Sequence, residues 1–262
     1  MANEFSYTEI ASSTAQLRGL DVPTVYELYH LRSSLDEKHL VELSSSIQRA
    51  VSQPAIIDSF GKTINAENLS SVPLSDILDT HSQQIMNIWS KRISTRTFSS
   101  EAVELEELSV ILKALLGSSP TLQHRSYASA GACFPNEVFV NVRNVKGVIS
   151  GFYYLDLTSL SLRLVKQGKF RLTLEDHEQY ASLSIVIISL FNKVTYKYGE
   201  RGYRFSLLEA GAMTQIIETT TNLIGLGSVS SGGFRDDTIL KLAELYPPQA
   251  GVMAVVHIGK KA

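Results

Sequence analysis

The spacing of apolar residues predicts helices along much of the chain. Leu40, Leu43, Ile47 and Val51 recur every three or four residues, and this period places them on one face of a helix. Helical spacing also marks residues 25–31, 85–89, 104–116 and 203–224. The last of these segments is long enough for about six turns. Gly117 follows the 104–116 segment, where a left-handed C-terminal cap is expected.

Short runs of β-branched and aromatic residues predict strands in the second half of the chain. Residues 137–142 alternate as a strand does, and residues 152–155 and 161–165 are expected to pair as a hairpin. The Ile/Val-rich run 184–190 predicts a buried central strand, and residues 252–258 predict a last buried strand. Helices and strands mix without a regular βαβ repeat, so we predict the α+β class, a sheet with helices packed around it.

Composition and charge narrow the function classes. The chain has 262 residues, of which 44% are hydrophobic and 19% charged, with a formal net charge of −2, as is ordinary for a globular protein. This balance lacks the basic character of a nucleic-acid-binding protein. The longest apolar run, residues 183–191, is too short to span a bilayer. The first thirty residues carry acids and no apolar run, so we expect a cytoplasmic protein without a secretory signal or a membrane partner.

Residue usage also bears on metal sites and on domain layout. Cys133 is the single cysteine, which rules out an internal disulfide and a cysteine-rich zinc site. The six histidines are scattered, without the i, i+4 spacing of paired ligands, so no metal is predicted. Residues 1–85 have serine clusters and weaker periodicity. We therefore expect an N-terminal helical arm over residues 1–85 and one main domain over residues 86–262.

The segment 197–204 (KYGERGYR) concentrates side chains that handle protons. A cation beside a phenol favours the ionised phenol, so the adjacent Lys197 and Tyr198, in a short turn before the long helix, are a candidate acid/base pair. The alternative is a solvated basic turn that merely starts the helix, because structural charge networks have the same composition.

Arg92, Ser94 and Arg96 form a second cluster. Alternate residues of an extended segment point the same way. Two guanidiniums flanking a hydroxyl are a candidate phosphate clamp, because arginine presents planar bidentate donors. The alternative is an exposed polar strand edge, since surface arginine is common.

Two loops of small residues are candidates for contact with a flat ligand. Ser129, Ala130 and Gly131 lie in the first loop, where backbone amides allow close approach. Gly232 and Gly233 lie in the second, which follows a helix and matches neither the dinucleotide fingerprint nor the P-loop. Ordinary tight turns are the alternative for both loops.

Taken together and in this order, the clusters resemble the FMN-dependent azoline dehydrogenases of the SagB/ThcOx type, a branch of the nitroreductase-type flavoproteins. That branch includes the dehydrogenase subunit of microcin-type thiazole/oxazole synthetases, which belong to bacteriocin-type antibiotic biosynthesis. The resemblance covers about residues 25–259 and rests on these segments: Tyr29-His30 with Ser33, Arg92-x-Ser94-x-Arg96, residues 125–139, the block from Lys197 to Gly211, and Gly232-Gly233-Phe234.

The resemblance implies a fold, a cofactor and an assembly. It implies a nitroreductase-like mixed sheet surrounded by helices, in an obligate homodimer with FMN at the interface. The cluster of Arg92, Ser94 and Arg96 would hold the phosphate and ribityl end. The loop 129–131 would come from the partner subunit. The amides of the pair 232–233 would face the N5/O4 edge of the flavin.

The resemblance also implies an activity, the oxidation of thiazoline or oxazoline rings in a ribosomally made precursor peptide to the aromatic azoles. Cyclodehydratase subunits of a synthetase complex would be partners. Tyr198 would be the base with Lys197 as the neighbouring cation, or the reverse. Two other functions stay open: an NAD(P)H-dependent nitro or quinone reductase, and a non-catalytic structural subunit of a peptide-modifying complex. The intact phosphate and glycine clusters argue against the last.

Three positions depart from the pattern of that branch. Ile93 stands where a basic residue or histidine is common, Ala128 where proline is usual, and Asn136 where an apolar residue is common. These departures concern the geometry of the loops and leave the overall resemblance unchanged.

Overall fold

The computed structural model describes residues 24–35, 37–53, 70, 72–74, 79–117 and 124–262. Seven α-helices lie in this part of the chain: α1 Val25–Ser33, α2 Glu37–Val51, α3 Thr80–Ser90, α4 Leu105–Leu116, α5 Asn192–Tyr198, α6 Arg201–Leu223 and α7 Asp236–Leu242. Six strands accompany them: β1 Asn136–Val142, β2 Gly151–Asp156, β3 Ser161–Gln167, β4 Leu183–Leu190, β5 Gly227–Ser231 and β6 Ala250–Gly259. The predicted helices and strands are all present.

One six-stranded sheet organises the chain, in the order β3-β2-β1-β4-β6-β5. The predicted α+β class is therefore confirmed, as are the β2–β3 hairpin and the central position of β4. Every neighbouring pair of strands is antiparallel. Parallel pairing, the other component of a mixed sheet, is confined in the described residues to isolated bridges such as that between Ser94 and Ser228.

Strand β4 is buried on both faces, which explains its continuous run of apolar residues. Leu183, Ile185 and Ile187 lie in a core cluster with side chains of α4 and α6. Val186 and Ile188 lie in a second cluster, on the opposite face, with side chains of α7. Burying each such side chain stabilises the fold by roughly 1.5–3 kcal/mol. The alternation along one strand therefore fixes where the helices pack.

The segment 197–204 is not one short turn. Lys197 and Tyr198 end α5, Gly199 turns the chain with φ 58°, and Arg201 already begins α6. The N–H of Gly199 donates to the carbonyl of Thr195 at 2.8 Å and so caps α5. The two helices meet at this glycine because a left-handed residue favours glycine there.

Helix α1 packs on the start of α6 through aromatic rings. Tyr26 stacks on Tyr203 with centroids 5.8 Å apart, and His30 meets Phe191 edge-on at 5.0 Å. The N–H of Val25 donates to the Glu200 carboxylate at 3.0 Å. The N-terminal helices are thus present as predicted. The limits of the arm stay a prediction, since α3 runs across residue 85 and residues 1–23 lie outside the described part.

Of the predicted apolar stripe of α2, the side chain of Leu40 lies outside the described part, and the other three residues do not pack on the core. Leu43, Ile47 and Val51 are all exposed. Among the described residues, no helix has both the length and the apolar character that crossing a bilayer requires.

Candidate active site

The segment around Ser94 is held against the edge strand β5. The N–H of Thr95 donates to the carbonyl of Ser228 at 2.8 Å, and the Thr95 side chain covers Gly227. On the other side of the segment, Nη1 of Arg92 donates to Oγ of Ser94 at 3.4 Å. Arg92 and Ser94 therefore share one side, as predicted from their alternation, and Arg96 is exposed.

A buried acid of α6 lies behind this cluster and was not predicted from the sequence. Glu218 pairs with Arg92, Nη1 to Oε2, at 3.5 Å. Its Oε1 accepts the hydroxyl proton of Ser230 at 2.7 Å. Glu218 therefore orients the Arg92 guanidinium from the buried side, while Ser94 contacts the guanidinium from the exposed side.

The pair Gly232–Gly233 follows β5 directly. Gly232 is exposed, and a Cβ there would enter open space. The N–H of Gly233 donates to Oε1 of Glu175 at 3.3 Å, so this amide already has a partner. A cavity of about 330 Å³ borders Gly232, with His30, Tyr203, Asp236 and Met253 among its walls. This volume is within the range of small-molecule pockets.

Lys197 and Tyr198 converge on Gly131. The ammonium of Lys197 donates to the Gly131 carbonyl at 3.4 Å, and it lies 5.4 Å from the centroid of the Tyr198 ring. A Cβ at position 131 would overlap the Tyr198 hydroxyl and lie 2.5 Å from Lys197 Nζ. Tyr198 also meets Phe205 edge-on at 5.1 Å. The fold thus brings the predicted acid/base pair to the first predicted loop.

That loop has an unusual backbone. Gly131, Ala132 and Phe134 all have positive φ, at 57°, 54° and 42°, which is costly for the two non-glycine residues. The N–H of Phe134 donates to Oγ of Ser129 at 2.9 Å, which ties the two ends of the loop. Strain of this kind is found where a site fixes its geometry.

Glu209 anchors the end of the loop to α6. Its Oε1 accepts from the backbone N–H of Asn136 at 3.3 Å and from Nδ2 at 3.1 Å. The same amide nitrogen donates to the Ser206 carbonyl at 3.0 Å. Burial raises the pKa of Glu209 above its ordinary value, although hydrogen bonds from Ser129 and Asn136 oppose the shift. The polar residue at position 136, where apolar residues are common, therefore has hydrogen-bond acceptors for its side-chain nitrogen.

Tyr127 is a second phenol near the loop, but it is not suited to act as a base. Burial raises its pKa to about 12, against the opposing effect of the Arg125 guanidinium. Arg125 donates to its hydroxyl at 2.6 Å and lies 4.2 Å from the centroid of the Phe134 ring. Tyr127 is therefore a neutral phenol. Together with the Arg125 guanidinium that donates to it, this side chain supports the loop.

The predicted residues form two groups within one chain. Arg92 contacts Glu218, and Tyr198 contacts Phe205. These two contacts are thirteen residues apart on α6, or roughly 20 Å along the helix axis. The hydrogen bonds and ion pairs of the site residues do not join the two groups directly. A ligand that contacts both Arg92 and Tyr198 within one chain would have to span about this distance.

The residues of the first group fit an elongated phosphate-bearing ligand. Ser94 lies beside Ser228, and Gly232 faces open space four residues after Ser228, just beyond the end of β5, a distance of about 13 Å. This spacing suits a molecule with a phosphate at one end and a flat ring at the other, as in FMN. In the described residues, no cluster of His, Cys, Asp or Glu has the geometry of a metal site.

Comparisons with known proteins match most of the chain to one family. The sequence model of the nitroreductase family matches residues 90–260. "Putative nitroreductase MJ1384" of Methanocaldococcus jannaschii is 30% identical over 191 residues, which are 70% of this chain and 94% of that protein. The microcin B17-processing protein McbC of Escherichia coli is 30% identical over 148 residues, 52% of this chain and 54% of McbC, so the match spans about half of McbC.

A solved structure matches over the whole chain. The E. coli microcin synthetase McbBCD complex with truncated pro-MccB17 bound has a chain that matches with a TM-score of 0.63 at 19% identity, covering 100% of both chains. At this identity the likeness concerns the fold alone.

Proposed function

The chain belongs to the nitroreductase family, and on that premise we propose that it is an FMN-dependent azoline dehydrogenase, which oxidises thiazoline or oxazoline rings of a precursor peptide to azoles. The observation that carries the proposal is the convergence of Lys197 and Tyr198 on Gly131. Oxidation of an azoline ring requires a proton acceptor at the substrate, whereas reduction of a nitro or quinone group takes up protons. The similarity to McbC, whose name assigns it to the processing of microcin B17, supports the same choice.

FMN fits the first group of residues. The Arg92 guanidinium, oriented by Glu218, and the Ser94 hydroxyl would hold the phosphate, with Arg96 as a second cation. Gly232, beside open space, would receive the edge of the flavin ring. When bound, FMN supplies the two-electron acceptor, which side chains alone cannot provide.

The second group would handle the proton. In the substrate ring, Cα–H would give its proton to the base, and the hydride of the neighbouring CH₂ would leave to the two-electron acceptor that FMN would supply. A double bond forms between the two carbons, so the ring loses two hydrogens and becomes aromatic. The Tyr198 oxygen is the proposed proton acceptor, and the Lys197 ammonium is the proposed cation beside it. The Gly131 carbonyl and the Phe205 ring hold these two side chains in place.

The separation of the two groups in one chain supports a shared site in a homodimer. A distance of roughly 20 Å along α6 is long for one cofactor with its substrate. The loop of Ser129, Ala130 and Gly131 with the acid/base pair of one subunit would then complete the phosphate and glycine group of the other. A heterocyclised precursor peptide and cyclodehydratase subunits are the proposed partners.

The deciding experiment supplies the purified protein with FMN and an azoline-bearing peptide. The expected product has lost two hydrogens per ring by mass spectrometry. A matched peptide with unmodified cysteine and serine should keep its mass. Flavin that is bound and reducible, together with an unchanged azoline peptide, would reject the substrate assignment and leave the family assignment intact.

A second candidate is an NAD(P)H-dependent nitro or quinone reductase. The similarity to a protein described as a putative nitroreductase over 94% of its length favours it. In that case NAD(P)H should reduce the bound flavin rapidly, and a nitroaromatic compound should reoxidise it. The same preparation should leave the azoline peptide unchanged.

A further inference from the structure

Glu175 holds the turn that contains the two glycines after β5. Its Oε1 accepts the N–H of Gly233 at 3.3 Å, and its Oε2 accepts the hydroxyl proton of Ser231 in a short hydrogen bond. The same Oε1 lies 3.2 Å from the place where a Cβ of Gly233 would be. The Glu175 carboxylate therefore accepts hydrogen bonds from both residues that flank Gly232, Ser231 and Gly233, while Gly232 faces open space.

The segment that carries Glu175 is itself firmly held. The N–H of Leu174 donates to the Gly233 carbonyl at 3.0 Å, and that of Arg235 to the Leu172 carbonyl at 2.8 Å. Three residues after Glu175, the buried Glu178 accepts the N–H groups of Leu172 and Thr173, both at 2.7 Å. Such a satisfied buried network is rigid. The position of the Glu175 carboxylate is therefore set by the fold.

The carboxylate is charged at neutral pH. Burial raises the pKa of Glu175, but hydrogen bonds from Ser231, Thr173 and Gly233 outweigh burial and leave this pKa below its ordinary value. The turn thus carries a fixed negative charge in addition to its fixed backbone.

We propose that Glu175 is a positioning residue for the cofactor, which shapes the glycine turn and sets a negative charge beside the flavin edge that becomes electron-rich on reduction. The proposal rests on the proposed function, because it requires the flavin edge at Gly232. A negative charge near that edge opposes the charge that arrives with the electrons. It therefore weakens the binding of reduced FMN relative to oxidised FMN and favours transfer of the electrons to an outside acceptor.

The first test neutralises the charge and keeps the shape. Glu175→Gln should bind reduced FMN about tenfold more tightly relative to oxidised FMN, which corresponds to a midpoint potential about 30 mV higher for a two-electron couple. The readouts are titration of the apoprotein with oxidised FMN and measurement of the potential with reference dyes. Asp176→Asn is the matched control, because Asp176 is the neighbouring carboxylate but its side chain is 91% exposed. Its potential should equal that of the wild type.

The second test separates shape from charge. Ser231→Ala keeps the carboxylate and removes one of the two hydrogen bonds that fix the turn. It should weaken the binding of oxidised and reduced FMN by the same factor, severalfold, and leave the potential unchanged. This variant also serves if the glutamine variant does not fold.

Each outcome decides a different point. An unchanged potential in Glu175→Gln overturns the charge effect, and unchanged FMN affinity in Ser231→Ala overturns the positioning effect. A wild-type protein that binds no FMN overturns this inference together with the cofactor assignment. If both effects appear but azoline peptides are not oxidised, only the proposed substrate is wrong.

Discussion

The Lys197 ammonium lies 3.4 Å from the carbonyl oxygen of Gly131, although 66 residues separate the two in the chain. Gly131 has φ 57° and leaves no room for a side chain, because the Tyr198 hydroxyl and the Lys197 ammonium occupy the space where a Cβ would lie. The strained loop therefore contacts both side chains of the proposed acid/base pair.

This relationship makes Gly131→Ala a sensitive variant. The added methyl should displace the exposed Lys197 side chain and the half-buried Tyr198 ring, with a cost to the fold of about 1 kcal/mol for the left-handed backbone. Azoline oxidation should fall by at least about tenfold while FMN binding and the melting temperature stay near the wild-type values. Ala130→Gly, in the same loop, is the control for backbone flexibility. Full activity in Gly131→Ala would show that the pair has no fixed position in catalysis.

The proposed phosphate clamp of Arg92, Ser94 and Arg96 leads to a prediction about cofactor binding. Replacing Arg92 and Arg96 together with alanine should remove most bound FMN, because hydrogen bonds to charged groups contribute about 1.5–3 kcal/mol each. The ratio of flavin absorbance to protein absorbance after purification measures the effect. Arg163→Ala is the control, since Arg163 is exposed and pairs with Asp156 on the β2–β3 hairpin. Full retention of FMN in the double variant would show that Arg92 and Arg96 do not hold the phosphate.

Much of the fold could be predicted from the sequence, because periodicity reports on one element at a time. Strand β4 is an example, since burial on both faces produces a continuous apolar run. Contacts within the candidate site could be predicted only where neighbours in sequence are neighbours in space, as for Arg92 with Ser94. The convergence of Lys197 on Gly131 depends on tertiary packing. The contacts of Glu175 and Glu218 could not be predicted, because a sequence does not distinguish a buried acid from a solvated one.

Gly211 provides a test of the predicted homodimer. It is exposed on α6, and a Cβ there would meet nothing within 4 Å in its own chain. Gly211→Leu should therefore leave the subunit folded but overpack a close helix contact between subunits, at a cost of about 1–3 kcal/mol. Sedimentation or size-exclusion measurements should show weaker association, and Gly211→Ala should have a smaller effect. If the Gly211→Leu variant stays dimeric with an unchanged melting temperature, the surface of α6 around Gly211 lies outside the interface.

Asp236 gives a pH dependence with a definite sign. Burial raises its pKa from 3.8 to about 6, against the hydrogen bond from the Leu35 N–H. Between these values the folded state binds more protons than the unfolded state, so this group lowers stability as the pH rises from 4 to 6. The loss is on the order of 3 kcal/mol, and it is complete above pH 6.

Asp236→Asn should remove this loss and keep an acceptor for Leu35. The free energy of unfolding of the variant relative to the wild type should therefore increase between pH 4 and pH 7. Burial lowers the pKa of His257 to about 3, which acts in the opposite direction, but His257 is common to both proteins and cancels in the difference. Urea titrations at several pH values measure the quantity, and a difference that is independent of pH would contradict the argument.

The last prediction concerns Lys197 and Tyr198 themselves. Tyr198→Phe keeps the ring that packs on Phe205, and Lys197→Met keeps a stem of similar length, so both variants should fold and bind FMN normally. Each should lose azoline oxidation by at least about a hundredfold, the scale of a general acid/base group. Reduction of the flavin by dithionite needs no base at a substrate carbon and should be unchanged in rate. If the chain is instead a nitroreductase, the same variants should barely alter NAD(P)H oxidation with a nitroaromatic acceptor. If the double variant Lys197→Met, Tyr198→Phe forms azoles at the wild-type rate, the segment 197–204 is a basic junction between two helices and has no catalytic role.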